Sequence, residues 1–121
     1  MPKVLLLGNP AIADERDKWG IEGLEVVFEE DLGGDEETVK AAVIQMTEAE
    51  EVDLVLIDNG RGAGVWKAAW VRPVMISRTI VIFGHLPDLV LFSTYFAHGV
   101  FTWWPRDLVD ASVGYFMRAL N

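Results

Sequence analysis

The chain has 121 residues, 51% of them apolar, a formal net charge of −9 and no cysteine. This length and apolar content suit one domain, residues 1–121, with a substantial core. The lack of cysteine excludes disulfides, thiol catalysis and Cys-ligated zinc, and the negative charge argues against direct nucleic-acid binding. No apolar run approaches the roughly 20 residues of a membrane span, and the first residues are too quickly structured for a signal peptide. We therefore expect a cytoplasmic protein without membrane contact.

Charge is distributed unevenly along the chain. Residues 1–60 contain 16 acidic and 4 basic side chains, whereas residues 61–121 contain 3 acidic and 6 basic ones. One interpretation is a solvated acidic face, because blocks of like charge are commonly solvated surface. The other is that the second half, which contains four of the five tryptophans, presents a face that contacts a partner.

The first half predicts two strands, each followed by a helix. Asn9 before Pro10 is a common helix opening, and Asp35 is the expected N-cap of the second helix. In chain order we expect a strand at Lys3–Leu7, a helix over residues 10–19, a strand over 24–28, an acidic loop over 29–34, and a helix after Asp35 with Val39, Ala42, Val43 and Met46 on its apolar face.

The stretch VDLVLID, residues 52–58, predicts the central strand. Its apolar residues indicate burial on both faces, as in the middle of a parallel sheet. Asp58 is the first polar side chain at the carboxyl end of this strand, and Asn59-Gly60 follows it as a turn. Ligands in open α/β sheets bind at this edge, so Asp58 is either a site residue or a strand-end aspartate that accepts backbone N–H groups.

The second half continues the alternation of helices and strands. Pro73 ends the third helix and Pro105 breaks the last strand. We expect a helix over residues 65–72, a strand at Thr79–Phe83, a helix over 87–97, a strand over 100–104, and a helix opened by Asp107 and Asp110 whose apolar stripe is Val109, Val113, Phe116 and Leu120. The alternation predicts an α/β, flavodoxin-like three-layer sandwich with a five-stranded parallel sheet in order 2-1-3-4-5.

Three segments of the chain resemble the receiver domains of bacterial response regulators: VDLVLID, SRTIVIFGH (77–85) and FAHGVFTWWPRDLVDASVGYFMRAL (96–120). The resemblance runs from the first strand to the last helix. It implies that Asp58 occupies the phosphoacceptor position, that Pro105 is the proline of the receiver Lys-Pro pair, and that Phe101 lies near the aromatic switch residue.

Other positions depart from the receiver pattern. Gly8 and Asn9 replace the paired acids that hold Mg²⁺, Phe83 followed by Gly84 replaces the expected Thr or Ser, and Trp104 replaces the lysine before Pro105. Phosphoryl transfer to a carboxylate needs a divalent cation and a fixed positive charge. We therefore expect a pseudo-receiver without a metal site, a cofactor or efficient phosphorylation of Asp58.

Two alternatives stay open for the carboxyl edge of the sheet. A flavodoxin-like binder would hold a small ligand or cofactor near Gly8, Asn9, Asp58 and Gly84, with Trp104 stacked on a flat ring. An enzyme is disfavoured because no nucleophile and base can be paired, and His85 and His98 have no partner at useful spacing. The Gly8-Asn9-Pro10 turn lacks the glycine spacing and the lysine of a phosphate-binding loop.

The segment 87–97 is apolar or aromatic on almost every face. A helix of this kind is normally buried on more than one side, either inside a tight core or against another protein. The second possibility predicts a protein partner or a homodimer through this helix, the fifth strand and the last helix. The predicted interface residues are Leu89, Phe92, Tyr95, Phe96, Trp103 and Tyr115.

Overall fold

The computed structural model describes residues 2–59, 67–83, 102–105 and 108–120. The strands in this part of the chain are β1 (Lys3–Leu7), β2 (Glu25–Phe28), β3 (Leu54–Asp58), β4 (Thr79–Phe83) and β5 (Thr102–Pro105). The helical elements are the 3-10 helices η1 (Pro10–Trp19), η2 (Glu29–Leu32) and η3 (Pro73–Arg78), and the α-helices α1 (Glu36–Glu48) and α2 (Val109–Leu120).

The strands of the described residues pair in parallel. β1 lies between β2 and β3, and β4 lies on the other side of β3. Val4 is paired with Val26 and with Leu54, while Asp58 is paired with Ile82. The backbone of β5 runs parallel to β4, with Thr102 opposite Ile80. The predicted α/β class and the parallel order 2-1-3-4 are confirmed.

The sheet separates two apolar cores, because successive side chains of a strand point to opposite faces. On one face Leu5, Val55 and Val81 pack with residues of α1, η3 and the segment before η3. On the other face Leu6, Leu56 and Ile80 pack with residues of η1 and α2. Because β1, β3 and β4 are buried on both faces, their sequences are nearly continuous runs of apolar residues.

The helical elements are anchored by a few polar contacts. Asp35 caps α1 as predicted, with Oδ1 accepting the Thr38 N–H at 2.7 Å. Thr47 in α1 donates from Oγ1 to the Val43 carbonyl at 2.7 Å and accepts the Arg72 N–H at 3.1 Å, which ties α1 to the segment before η3. On the other face the Trp19 Nε1–H donates to Asp110 Oδ1 at 3.1 Å.

Several predicted elements differ in detail. The helix over residues 10–19 is a 3-10 helix interrupted at Glu15, where φ is −109° and ψ is 28°. The acidic loop contains η2, and η3 directly after Arg72 was not predicted. Within the predicted 65–72 helix, residues 67 and 68 are helical and 69 and 70 form a turn. Short 3-10 turns carry little periodic signal, which is why the sequence pattern misses them.

The last strand and the last helix require two corrections. Pro105 does not break β5 but is its final residue, a position where a strand tolerates a missing N–H donor. In α2, Val109 and Val113 are buried as predicted, and Phe116 is partly buried and packs against the same core; Met117, which the stripe did not include, is buried with them. A spacing of four residues keeps Met117 in line with Val109 and Val113. The predicted cap Asp107 and the predicted helix 87–97 lie outside the described residues.

Among the helices of the described residues, none combines the length and the apolar character that crossing a membrane requires.

Candidate functional site

Asp58 lies at the carboxyl edge of the sheet, between the ends of β1 and β4. Leu7, the last residue of β1, is paired with Ile57, so Gly8 is level with Asp58. On the other side Asp58 is paired with Ile82 in β4. Parallel strands bring Gly8, Asn9 and Asp58 together as the sequence predicted, because their carboxyl ends share one edge.

The backbone of Gly8 packs directly on Asp58. Gly8 has a φ of 106°, and a Cβ built on it would lie 2.8 Å from Asp58 Cβ and 3.0 Å from the Asp58 carbonyl oxygen. Both the dihedral angle and the contact require a residue without a side chain. Gly8 therefore allows β1 to approach the end of β3 more closely than any other residue would.

The Asp58 side chain takes part in the turn that follows β1. The residue is 8% exposed, and its Oδ2 accepts the Asn9 N–H at 3.3 Å. Asn9 in turn caps η1, since its Oδ1 accepts the Ala11 N–H at 3.0 Å. The turn thus connects the end of β3 to the start of η1 through one carboxylate and one amide.

The strand-end interpretation of Asp58 predicts hydrogen bonds from the N–H groups of its own Asn-Gly turn. Asp58 accepts the N–H of Asn9, which is 49 positions away in the chain, and Gly60 of that turn lies outside the described residues. The Asn59 N–H continues the sheet by donating to the Ile82 carbonyl at 2.9 Å.

The remaining predicted pocket residues do not all converge on Asp58. Phe83 is 4% exposed and packs in the core on the α1 face of the sheet. The backbones of Trp104 and Pro105 are paired with Ile82 and Phe83, which places both at the same edge. Gly84 and the predicted switch residue Phe101 lie outside the described residues. Among the residues the structure describes, no group of three or more His, Cys, Asp or Glu side chains is placed to hold a metal ion.

A cleft of about 390 Å³ lies beside Gly8, where β1 and β2 end and α1 begins. The sequence pattern does not predict this cleft. The Gly33-Gly34 pair and the acidic residues on both sides of it belong to the cleft, but by themselves they indicate only a loop and a helix cap. The cleft is lined by Gly8, Pro10, Phe28, Glu29, Glu30, Gly33, Gly34, Asp35, Glu36, Val39, Lys67 and Trp70.

An ion pair crosses one wall of this cleft. Lys67 Nζ lies 2.6 Å from Glu29 Oε1, and the two side chains are 17% and 31% exposed. At the start of α1, the backbone N–H of Thr38 and, to a smaller extent, its side chain lower the pKa of Asp35 below its ordinary value. This hydrogen bond stabilises the ionised form of the Asp35 carboxylate.

Part of the predicted contact face can be located. Tyr115 is 73% exposed on α2, and Leu108 just before that helix is 55% exposed. Trp103 lies in β5, with its backbone opposite Val81. The other predicted interface residues, which belong to the segment 87–97, lie outside the described residues.

Neither a family model nor a curated protein matches this chain. A solved structure does match it, that of a "Putative pilus assembly-related protein" from Burkholderia pseudomallei K96243. The two share 17% sequence identity and a TM-score of 0.58, and the match covers 99% of this chain and 90% of the other. At this level of identity the similarity extends to the fold alone.

Proposed function

We propose that the chain is a receiver-like domain that acts through protein contacts and lacks efficient aspartyl phosphorylation. The observation that carries the proposal is the environment of Asp58. The residue at the phosphoacceptor-equivalent position is 8% exposed, is covered by the backbone of Gly8, and accepts a hydrogen bond from Asn9.

The chemistry of phosphorylation conflicts with that environment. An attacking carboxylate oxygen must reach the phosphorus in line with the leaving group, and a cation must offset the charge. Around Asp58, Gly8 supplies backbone and Asn9 an N–H group, at the positions where receivers have acids. A phosphoryl group on Oδ2 would displace the Asn9 N–H and disturb the turn that opens η1.

The proposed domain is flavodoxin-like, with three layers and five strands in order 2-1-3-4-5. Three observations support it: the parallel pairing of β5 with β4, the two apolar cores on opposite faces of the sheet, and the fold shared with the solved structure described above. Receivers have this architecture, so it is compatible with the proposed function.

Treatment with acetyl phosphate and Mg²⁺ is expected to leave the intact mass unchanged. An active receiver domain treated in parallel should gain the roughly 80 dalton of a phosphoryl group. Asp58→Asn is the matched control, since it removes the acceptor oxygen while keeping a side chain of similar shape. A stoichiometric adduct on the wild-type protein that disappears in Asp58→Asn would contradict the proposal.

The proposed contact surface is formed by the segment 87–97, β5 and α2. It is supported by the exposure of Tyr115 and Leu108 and by the charge distribution, because the acidic first half of the chain would repel a second copy of itself. Exposed aromatic side chains are frequent anchors of protein interfaces.

Sedimentation is expected to show concentration-dependent self-association that Tyr115→Glu weakens about tenfold or more, the effect of losing one anchor residue. Val74→Glu is the matched control, because Val74 is also exposed, at 49%, but belongs to η3 on the opposite face of the sheet. The proposed contact surface is contradicted if the wild type stays monomeric at high concentration and captures no partner from a lysate of its source. It is also contradicted if Val74→Glu weakens self-association as much as Tyr115→Glu does.

The alternative function, small-ligand binding at the carboxyl edge, is favoured by one observation. The cleft beside Gly8 has a volume of about 390 Å³, within the range of small-molecule sites. The predicted stacking of Trp104 on a flat ring would require a site nearer β5, because β3 and β4 lie between β5 and β1.

A further inference from the structure

The cleft beside Gly8 has an apolar base. Trp70 and Val39 line it and are 7% and 8% exposed, and both belong to the core on the α1 face of the sheet. Phe28, at the end of β2, also lines the cleft, while its side chain packs against the core on the opposite face of the sheet. A ligand with an apolar stem would be stabilised by lying on this base, because the stem would be removed from water.

The rim of the cleft is negatively charged. Glu29, Glu30, Asp35 and Glu36 line it together with the single cation Lys67, among the residues that the structure describes. Lys67 is already paired with Glu29 at 2.6 Å, and among the described residues no other cationic side chain lines the cleft beside Glu30, Asp35 and Glu36. Asp35 accepts the Thr38 N–H, which lowers the pKa of Asp35 below its ordinary value. This balance disfavours phosphates and carboxylates as ligands, even though α1 begins at the cleft.

Gly34 lines the cleft at a position where a side chain can be added. Its φ lies outside the left-handed region, and among the described residues a Cβ built on it would meet no atom within 4 Å. Neither the backbone nor a neighbouring residue therefore requires glycine at this position. A side chain there would extend from the lining of the cleft.

From these features we propose that the cleft binds an organic cation, an ammonium or guanidinium group on an apolar stem. The stem lies against Trp70 and Val39, and the charged group meets Glu30 and Glu36 at the rim. The cation is either a free amine or an arginine or lysine side chain of a partner. This site goes beyond the proposed function and does not depend on it, because it does not involve Asp58.

Titration of the isotope-labelled full chain with agmatine, followed by amide NMR, tests the proposal. Saturable shifts are expected at the amides of Gly33 and Gly34 and at the Trp70 indole. Pentanoate, which has an apolar stem but carries a carboxylate, is expected to leave these signals unchanged. A glycine–serine peptide with one central arginine distinguishes the two sources of the cation. Tighter binding of the peptide than of agmatine would identify a partner side chain, and the reverse would identify a free amine.

Variants test the two halves of the site separately. Glu30→Gln and Glu36→Gln should each weaken agmatine binding about two- to fivefold, the range expected for exposed ion pairs. Glu37→Gln is the matched control, since Glu37 has the same charge in the same turn of α1 and does not line the cleft. Gly34→Leu should weaken binding at least tenfold while the dispersion of its spectrum shows that it remains folded.

The proposal is overturned if neither agmatine nor the peptide gives saturable shifts at the cleft, or if pentanoate shifts the same signals equally. It is also overturned if Glu37→Gln weakens binding as much as Glu36→Gln. These results are separable from the proposed function, because phosphorylation of Asp58 and occupation of the cleft are measured independently.

Discussion

Gly114→Ala is expected to destabilise the protein by about 3 kcal/mol, although alanine is the better helix former. Gly114 lies in the interior of α2, and a Cβ built on it would overlap the Trp19 carbonyl oxygen and lie 3.2 Å from its carbonyl carbon. The obstacle is backbone, which cannot rotate away as the end of a side chain can. Relief would require α2 to move away from η1.

Such a movement would also disturb the residues that join the two elements. Trp19 is 1% exposed and donates from Nε1 to Asp110 of α2 at 3.1 Å. Val113 and Met117 on the same helix are buried in the core shared with Trp19. The cost of overpacking should therefore exceed the roughly 1 kcal/mol that alanine gains in helix propensity.

Urea unfolding of the wild type, Gly114→Ala and Gly34→Ala measures this effect. At Gly34 a Cβ meets nothing within 4 Å, so Gly34→Ala is expected to be neutral or stabilising by up to about 1 kcal/mol. Thermal unfolding of Gly114→Ala should occur roughly 10 °C below that of the wild type. Equal stabilities of the two variants would show that α2 and η1 do not make this close contact.

The second large effect is expected for Gly8→Ala, a loss of about 3 kcal/mol that combines two costs. A φ of 106° is unfavourable for alanine by about 1–2 kcal/mol. The added methyl group would also lie 2.8 Å from Asp58 Cβ, which forces β1 and β3 apart at the carboxyl edge. The same displacement would move the Asn9 N–H away from Asp58 Oδ2.

Gly20→Ala separates the two costs. Gly20 also has a positive φ, 70°, but among the described residues its added Cβ would meet only the Arg118 guanidinium, at 3.7 Å. We expect Gly20→Ala to cost about 1 kcal/mol, from the backbone alone. The difference between the two variants, measured by denaturant unfolding, reports the contact of Gly8 with Asp58. If the two losses agree within about 0.5 kcal/mol, Gly8 does not pack on Asp58 as the structure shows.

The positions of several residues of the candidate site could be predicted from where the strands end in the sequence. Lys3–Leu7 and Thr79–Phe83 were predicted with their final bounds, because continuous apolar runs bounded by glycine and proline are a strong signal. Parallel pairing then places Gly8, Asn9 and Asp58 at one edge. The hydrogen bond from the Asn9 N–H to the Asp58 carboxylate could not be predicted, because Asn9 is distant in the chain and the contact depends on the backbone path at Gly8.

The cleft escaped prediction for a different reason. The local sequence around the acidic residues of the cleft indicates a loop and a helix opening, which is their local role. These residues are Glu29, Glu30, Asp35 and Glu36. Lys67 and Trp70 reach the same cleft from a segment about 30 residues further along the chain. A local sequence pattern cannot predict a cleft whose walls come from segments that are distant in the chain.

The sequence by itself determined the α/β class, the central position of β3 and the cap of α1, since each depends on short-range patterns of apolar and capping residues. Only the tertiary structure decided that Asp58 accepts the Asn9 N–H, that Gly114 lies against the Trp19 backbone, and that a cleft opens beside Gly8. These features are set by the distance between packed elements. That distance depends on how both cores fill, which no single stretch of the chain specifies.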